Sequence, residues 1–201
     1  MAAPKVAIID GGGANIASLK FALGRLDCAA KLTVDPDVIR AATHVILPGV
    51  GAAADSMRRL EEANLTELIP TLRQPFLGIC LGLQLLYEAS EENDARCVGV
   101  FSGTARQFKA TSDLPVPHMG WNRIERTRDS DLLDGIPDGT HFYFVHSYAL
   151  DPTNDTLATA DYGTPFTAIV ERDNFAAAQF HPERSGAFGA RLLRNFLDRR
   201  T

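Results

Sequence analysis

Short apolar runs separated by stretches of helical spacing fill the first half of the chain. Residues 6–9, Val-Ala-Ile-Ile, form a continuous apolar run that Asp10, Gly11, Gly12 and Gly13 end in a turn, the pattern of a buried strand. Ile16, Leu19, Leu23 and Leu26 then recur at helical spacing, with Asn15 as an early cap. The same logic predicts a strand over 31–34, a short helix over 36–41 and a strand over 44–48 that runs into Gly49, Val50 and Gly51. A helix over 53–63, further helix to Leu72 and a strand ending at Cys80 complete this half.

Strands alternating with helices predict a parallel sheet covered on both faces, with the ligand site at the carboxyl ends of the strands. The glycine-bearing strand ends after Ile9, Leu47 and Ile79 therefore gather on one edge. From about Ala95 the segments shorten, with strands predicted over 98–101, 104–108, 121–125, 140–145, 156–160, 166–171 and 175–179. A closing helix over 186–199 places Phe188, Leu192, Leu193, Phe196 and Leu197 on one face. The expected fold class is α/β, a flavodoxin-like three-layer sandwich with a mainly parallel central sheet and a smaller antiparallel or mixed region in the second half. No Pro/Gly/Ser-rich linker or repeat divides the chain, so a single domain over 1–201 is expected.

The candidate chemistry centres on Gly78-Ile79-Cys80-Leu81-Gly82-Leu83-Gln84. A lone cysteine between two glycines, at a strand-to-helix junction, has the layout of a nucleophile elbow. A thiol placed there meets free N–H groups and the positive end of a helix, which favour the thiolate. Attack on a carbonyl also needs a base, a group that holds the base, and donors for the oxyanion. Gln179-Phe180-His181-Pro182-Glu183 supplies the first two, because on an extended chain His181 and Glu183 share a face. Cys80, His181 and Glu183 form the candidate triad. For the oxyanion, the Leu81 N–H is one candidate donor and the Pro48-Gly49-Val50-Gly51 strand end supplies the other.

Composition narrows the setting. The chain is 45% hydrophobic and 22% charged, with net charge −5, which gives no basic footprint for nucleic acid. No apolar run approaches membrane-spanning length, so no membrane partner is expected. Three cysteines, at 28, 80 and 97, lack paired spacing, so neither a disulfide framework nor a metal motif is indicated. A reducing, cytoplasmic location is expected. Asp10-Gly11-Gly12-Gly13 with Asp35 also offers a partial dinucleotide fingerprint, which fails where Ile16 replaces the third small residue.

The elbow and the His-Pro-Glu together resemble the triad-type, class I glutamine amidotransferases. Pro48-Gly-Val-Gly51, Pro117-His-Met-Gly-Trp-Asn122, Tyr143-Phe-Val-His-Ser-Tyr148 and His181-Pro-Glu-Arg-Ser-Gly186 resemble the branch that serves imidazole glycerol phosphate synthase in histidine biosynthesis. The resemblance implies that Cys80 forms a γ-glutamyl thioester, that His181 protonates departing ammonia, and that Glu183 orients His181. It implies that L-glutamine is held by Gln84 and by the backbone at Gly49, Gly51, His146 and Ser147. No cofactor is implied. It further implies a heterodimer with a barrel-shaped cyclase subunit that receives ammonia through a channel, with Asn15, His118, Met119, Trp121, Asn122 and Arg184 as interface candidates. The chain departs from the family pattern at Asp10-Gly11-Gly12, where Asp-Tyr-Gly is usual, and at Arg184, where Lys is usual. A silent interaction subunit is the alternative from a different class, and the intact triad positions argue against it.

Overall fold

The structure is a computed structural model that describes residues 4–12 and 16–200. The first half runs β1 (Val6–Ile9), α1 (Ile16–Gly24), β2 (Ala30–Thr33), α2 (Pro36–Ala41), β3 (His44–Gly49), α3 (Ala53–Glu62), β4 (Phe76–Cys80) and α4 (Leu81–Leu85). The second half runs β5 (Ala89–Ser90), β6 (Ala95–Arg96), β7 (Thr104–Gln107), β8 (His118–Arg123), β9 (Glu125–Arg126), β10 (His141–His146), β11 (Tyr148–Ala149), β12 (Thr156–Asp161), β13 (Pro165–Arg172), β14 (Phe175–Ala178) and α5 (Gly186–Asp198).

The central sheet has the order β2-β1-β3-β4-β14-β13-β12-β9. Its pairings are parallel from β2 through β14 and antiparallel from there to β9. Alternation along β1 divides the core: Val6 and Ile8 join the layer of α1 and α5, while Ala7 and Ile9 join that of α2 and α3. Both faces of β1, β3, β4 and β14 are therefore apolar, as their hydrophobic runs require, while the edge strand β2 is open to solvent. A two-stranded ribbon of β8 and β10 and a small four-stranded sheet, β11-β7-β5-β6, flank the edge to which the strands of the parallel half point. Among the described residues, no helix is long and apolar enough to cross a membrane.

Several expected elements differ. Residues 98–101 form a loop whose N–H groups bond Leu85, Tyr87 and Leu86 carbonyls, so they have no strand partner. The helix expected to reach Leu72 shrinks to one 3-10 turn, Ile69–Thr71, with Pro70 as its second residue. On α5, Leu192, Leu193, Phe196 and Leu197 are buried, but Phe188 lies partly exposed outside that face. The Asp35 carboxylate caps α2 by accepting from the N–H groups of Asp37 and Val38.

Glycine clearance fixes the approach of α4 to the sheet. A Cβ on Gly82 would fall 1.8 Å from the Leu47 carbonyl oxygen, and one on Gly78 would fall 2.8 Å from that of Gly82. Gly24, at the end of α1, has nothing within 4 Å of a built Cβ. Gly82→Ala should therefore lower the stability read from urea midpoints by about 3 kcal/mol, the upper range of overpacking. Gly24→Ala should raise it by about 0.5–1 kcal/mol. Equal midpoints for the two variants would contradict this packing.

Candidate active site

The sharpest backbone feature is at Cys80. β4 is buried throughout, and the chain reverses into α4 with Cys80 at φ 55, ψ −111, a positive φ that L residues avoid. Holding a residue there costs on the order of 1–3 kcal/mol and needs surroundings that over-determine it. β3 and β14 supply that on either side, with Gly49 opposite Cys80 and Ala178 opposite Ile79. Leu81 opens α4, so its N–H finds no carbonyl inside the helix.

His181 arrives from β14, the other neighbour of β4. Phe180 stacks on Phe142 at 4.1 Å, and the His181 N–H donates to the Tyr143 carbonyl at 2.9 Å, fixing where the chain leaves the sheet. Residues Pro182–Arg184 form one 3-10 turn, and the Ser185 hydroxyl donates to the His181 carbonyl at 2.7 Å. This turn, and not strand alternation, brings Glu183 Oε1 to 2.7 Å from His181 Nδ1. The other ring nitrogen is left free of Glu183, and the Cys80 thiol, which donates to the Val145 carbonyl at 3.8 Å, lies close enough to favour the charged ring. Burial alone would push the His181 pKa down; the neighbouring Cys80 side chain and the Glu183 carboxylate override it and hold the pKa up, at about 10.

A cleft of about 310 Å³ opens beside Cys80, lined by Val50, Gly51, Leu81, Gln84, His146, Ser147 and Tyr148. Gly49 lies outside it, against a cavity of about 10 Å³ on the other side of His181 and Glu183. Two residues that the sequence does not single out as site residues also belong to the site. Glu92 is the one carboxylate on the cleft wall among the described residues, and its Oε2 accepts the Ala53 N–H at 2.8 Å, tying α3 to the cleft. Fully buried Gln179 lies with its Nε2 3.9 Å from the Cys80 sulfur and its Oε1 3.4 Å from Gln84 Nε2. Its position two residues before His181, just past the end of β14, is the signal the sequence offers.

Of the interface candidates, Met119 and Trp121 are 67% and 57% exposed, on the outer face of the β8–β10 ribbon. Tyr143 pairs with Trp121 across that ribbon, and the Arg184 guanidinium lies 4.7 Å from the centre of the Tyr143 ring. Asn122 is half-buried and donates to the Asp161 carbonyl at 2.8 Å. His118 corrects the expectation. It alternates with Met119 onto the buried face, 4.1 Å from the Tyr162 ring, so it cannot meet a partner's surface. Asn15 lies outside the described residues.

Comparison with known proteins then supplies a family. Residues 7–199 match the family described as glutamine amidotransferase class-I. A protein of Xanthomonas axonopodis pv. citri named imidazole glycerol phosphate synthase subunit HisH is 49% identical over 193 residues, covering 96% of each chain. A protein of the same name from Xylella fastidiosa is 48% identical over 194 residues, covering 96% of this chain and 97% of that one. Among solved structures, one described as a glutamine amidotransferase superposes with a TM-score of 0.73 at 19% identity, covering 96% of this chain and 97% of that one. A glutamine amidotransferase from Thermotoga maritima gives 0.64 at 17% identity, covering 98% and 84%. At such identities these structures show the shared fold alone.

The raised pKa of His181 can be tested directly. In an NMR titration, Cys80→Ala and Glu183→Gln should each lower it, because each removes a contact that favours the imidazolium. The same shift fixes a sign for stability. The proton bound by His181 stabilises the folded state in full below the unfolded histidine value of ~6.5, and the contribution fades as pH rises toward the folded value. The advantage of wild type over Glu183→Gln in urea midpoint should therefore shrink from pH 7 to pH 10. A constant or growing advantage would contradict the assignment.

Proposed function

The chain belongs to the class-I glutamine amidotransferase family, in the branch of imidazole glycerol phosphate synthase HisH subunits, and from that premise we propose that Cys80, His181 and Glu183 carry its glutamine hydrolysis. The observation that carries this reading is the junction of Cys80 and His181 at the ends of neighbouring strands, with Glu183 on the far imidazole nitrogen and a cleft beside the sulfur.

The chemistry follows from the geometry. The Cys80 sulfur attacks the carboxamide carbon, the C=O π pair moves onto oxygen, and the oxyanion is met by the Leu81 N–H and the Gly49–Val50–Gly51 strand end. Collapse expels the amine, which takes a proton from His181 and leaves as ammonia, with the glutamyl group held as a thioester on Cys80. Water then attacks the thioester, giving its proton to His181, and glutamate departs as sulfur regains its charge. Glu183 keeps the Nδ1 proton in place, so that the nitrogen facing sulfur does the exchange. Glu92, on the cleft wall beside Gln84, is placed to meet the α-ammonium group of glutamine, and Ser147 lines the same wall.

The ammonia is destined for a second subunit. The relatives' name supports a heterodimer with a cyclase of imidazole glycerol phosphate synthase, which uses the ammonia to make imidazole glycerol phosphate and an aminoimidazole carboxamide ribonucleotide in histidine biosynthesis. Free ammonia is mostly protonated at neutral pH and ammonium is no nucleophile, so transfer through a covered channel has a physical reason. Exposed Met119 and Trp121, next to the Tyr143–Arg184 stack, supply the apolar anchor such an interface needs.

Glutamate release should be low for the chain alone, rise sharply with the cyclase partner plus its nucleotide substrate, and fall by at least ~10³-fold in Cys80→Ala. Trp121→Ala should weaken association by about 2 kcal/mol, a roughly 30-fold rise in Kd by calorimetry. An active Cys80→Ala complex would refute the nucleophile. An unchanged Kd would remove Trp121 from the interface.

A further inference from the structure

We propose that His118 and His146 are positioning residues for glutamine turnover, joined in a one-way chain of hydrogen bonds that fixes the Tyr148 carbonyl and, through it, Gln84 beside the nucleophile. The proposal rests on the glutaminase reading above and extends it to two buried imidazoles that the triad does not use.

The direction of the chain follows from its end. His146 Nδ1 lies 2.8 Å from the Tyr148 carbonyl oxygen, which can only accept, so Nδ1 carries the proton. His146 Nε2 is then an acceptor, and His118 Nδ1, 3.1 Å away, must donate to it. That leaves His118 Nε2 to accept from Asn122 Nδ2 at 3.4 Å, while the same amide donates to the Asp161 carbonyl at 2.8 Å. Kept neutral by burial, both imidazoles therefore hold the proton on Nδ1, the opposite of the form that free histidine favours.

The surroundings enforce neutrality. His118 is stacked between Tyr162 at 4.1 Å and Phe144 at 5.2 Å, and His146 packs on Phe166 at 5.2 Å. Burial pushes His118 down to about 4 and His146 down to about 3. No charge enters the chain at neutral pH, so it works as a fixed scaffold.

Its output is at the cleft. The Tyr148 carbonyl also accepts from Gln84 Nε2 at 3.1 Å, and the same nitrogen approaches Gln179 Oε1 at 3.4 Å. Both N–H groups of Gln84 are thus directed inward, and its Oε1 is the group left for substrate in the cleft. Losing the His118 donor would leave His146 Nε2 without its bond and free the ring to turn, releasing the carbonyl that orients Gln84.

The test uses two substitutions in the complex with the cyclase partner. His118→Phe keeps a ring between Tyr162 and Phe144 but removes the donor, and His118→Asn places an N–H near the Nδ1 position. His118→Phe should raise KM for glutamine about tenfold with kcat changed less than about threefold, and His118→Asn should return KM to within about threefold of wild type. Long-range ¹⁵N NMR on the wild-type chain should show Nδ1–H on both histidines, a readout independent of activity and of whether a variant folds. Nε2–H on either buried histidine, an unchanged KM in folded His118→Phe, or His118→Asn no better than His118→Phe would overturn the proposal. A wild-type complex that releases no glutamate would instead refute the glutaminase reading, and the NMR result would still decide the hydrogen-bond chain.

Discussion

The structure depends on one constraint, a cysteine held at positive φ where β4 turns into α4. Such a backbone persists only where neighbours leave it no alternative. Gly78 and Gly82 let α4 settle on the sheet at a distance any side chain would forbid, and β3 and β14 clamp β4 from both sides. The same clamp sets the chemistry, because β14 is also the strand that delivers His181. Strain at the nucleophile and alignment of its base therefore have a common origin in the order of the parallel strands.

Polar groups around this point are arranged in two layers. On one side the His181–Glu183 pair sits at a 3-10 turn stapled by Ser185, with the ring's charge favoured by Glu183 on Nδ1 and by the nearby Cys80 side chain. On the other side the buried amides of Gln84 and Gln179 lie under the sulfur, and neutral imidazoles back the Tyr148 carbonyl. The first layer carries the proton that moves, and the second holds fixed dipoles. Separating these tasks suits a site where charge must appear and vanish without reorganising its walls.

Much of this is legible in the sequence because period and punctuation agree. Short apolar runs ending in glycine mark β1, β3 and β4, and the spacing of Leu192, Leu193, Phe196 and Leu197 marks α5. The second half is less legible, since two-residue strands such as β5 and β6 are set by partners far along the chain, and 98–101 is apolar for packing alone. His118 resembles a surface group because its neighbours Met119 and Trp121 are exposed; the alternation of β8 turns it inward. Strand alternation gives the right partner for His181 for a reason that fails, since a turn and not an extended strand joins it to Glu183. Glu92 and Gln179 are not singled out by the sequence, and only the fold brings them to Cys80.

The most direct test of Cys80 as nucleophile is covalent labelling of the complex with an electrophilic diazoketone analogue of glutamine, followed by peptide mass spectrometry. One label per chain, on Cys80 and not on buried Cys28 or Cys97, and blocked by excess glutamine, is the predicted result. Absence of label, or label on another residue at equal rate, would contradict the assignment of Cys80 as the nucleophile on which the rest of the structure converges.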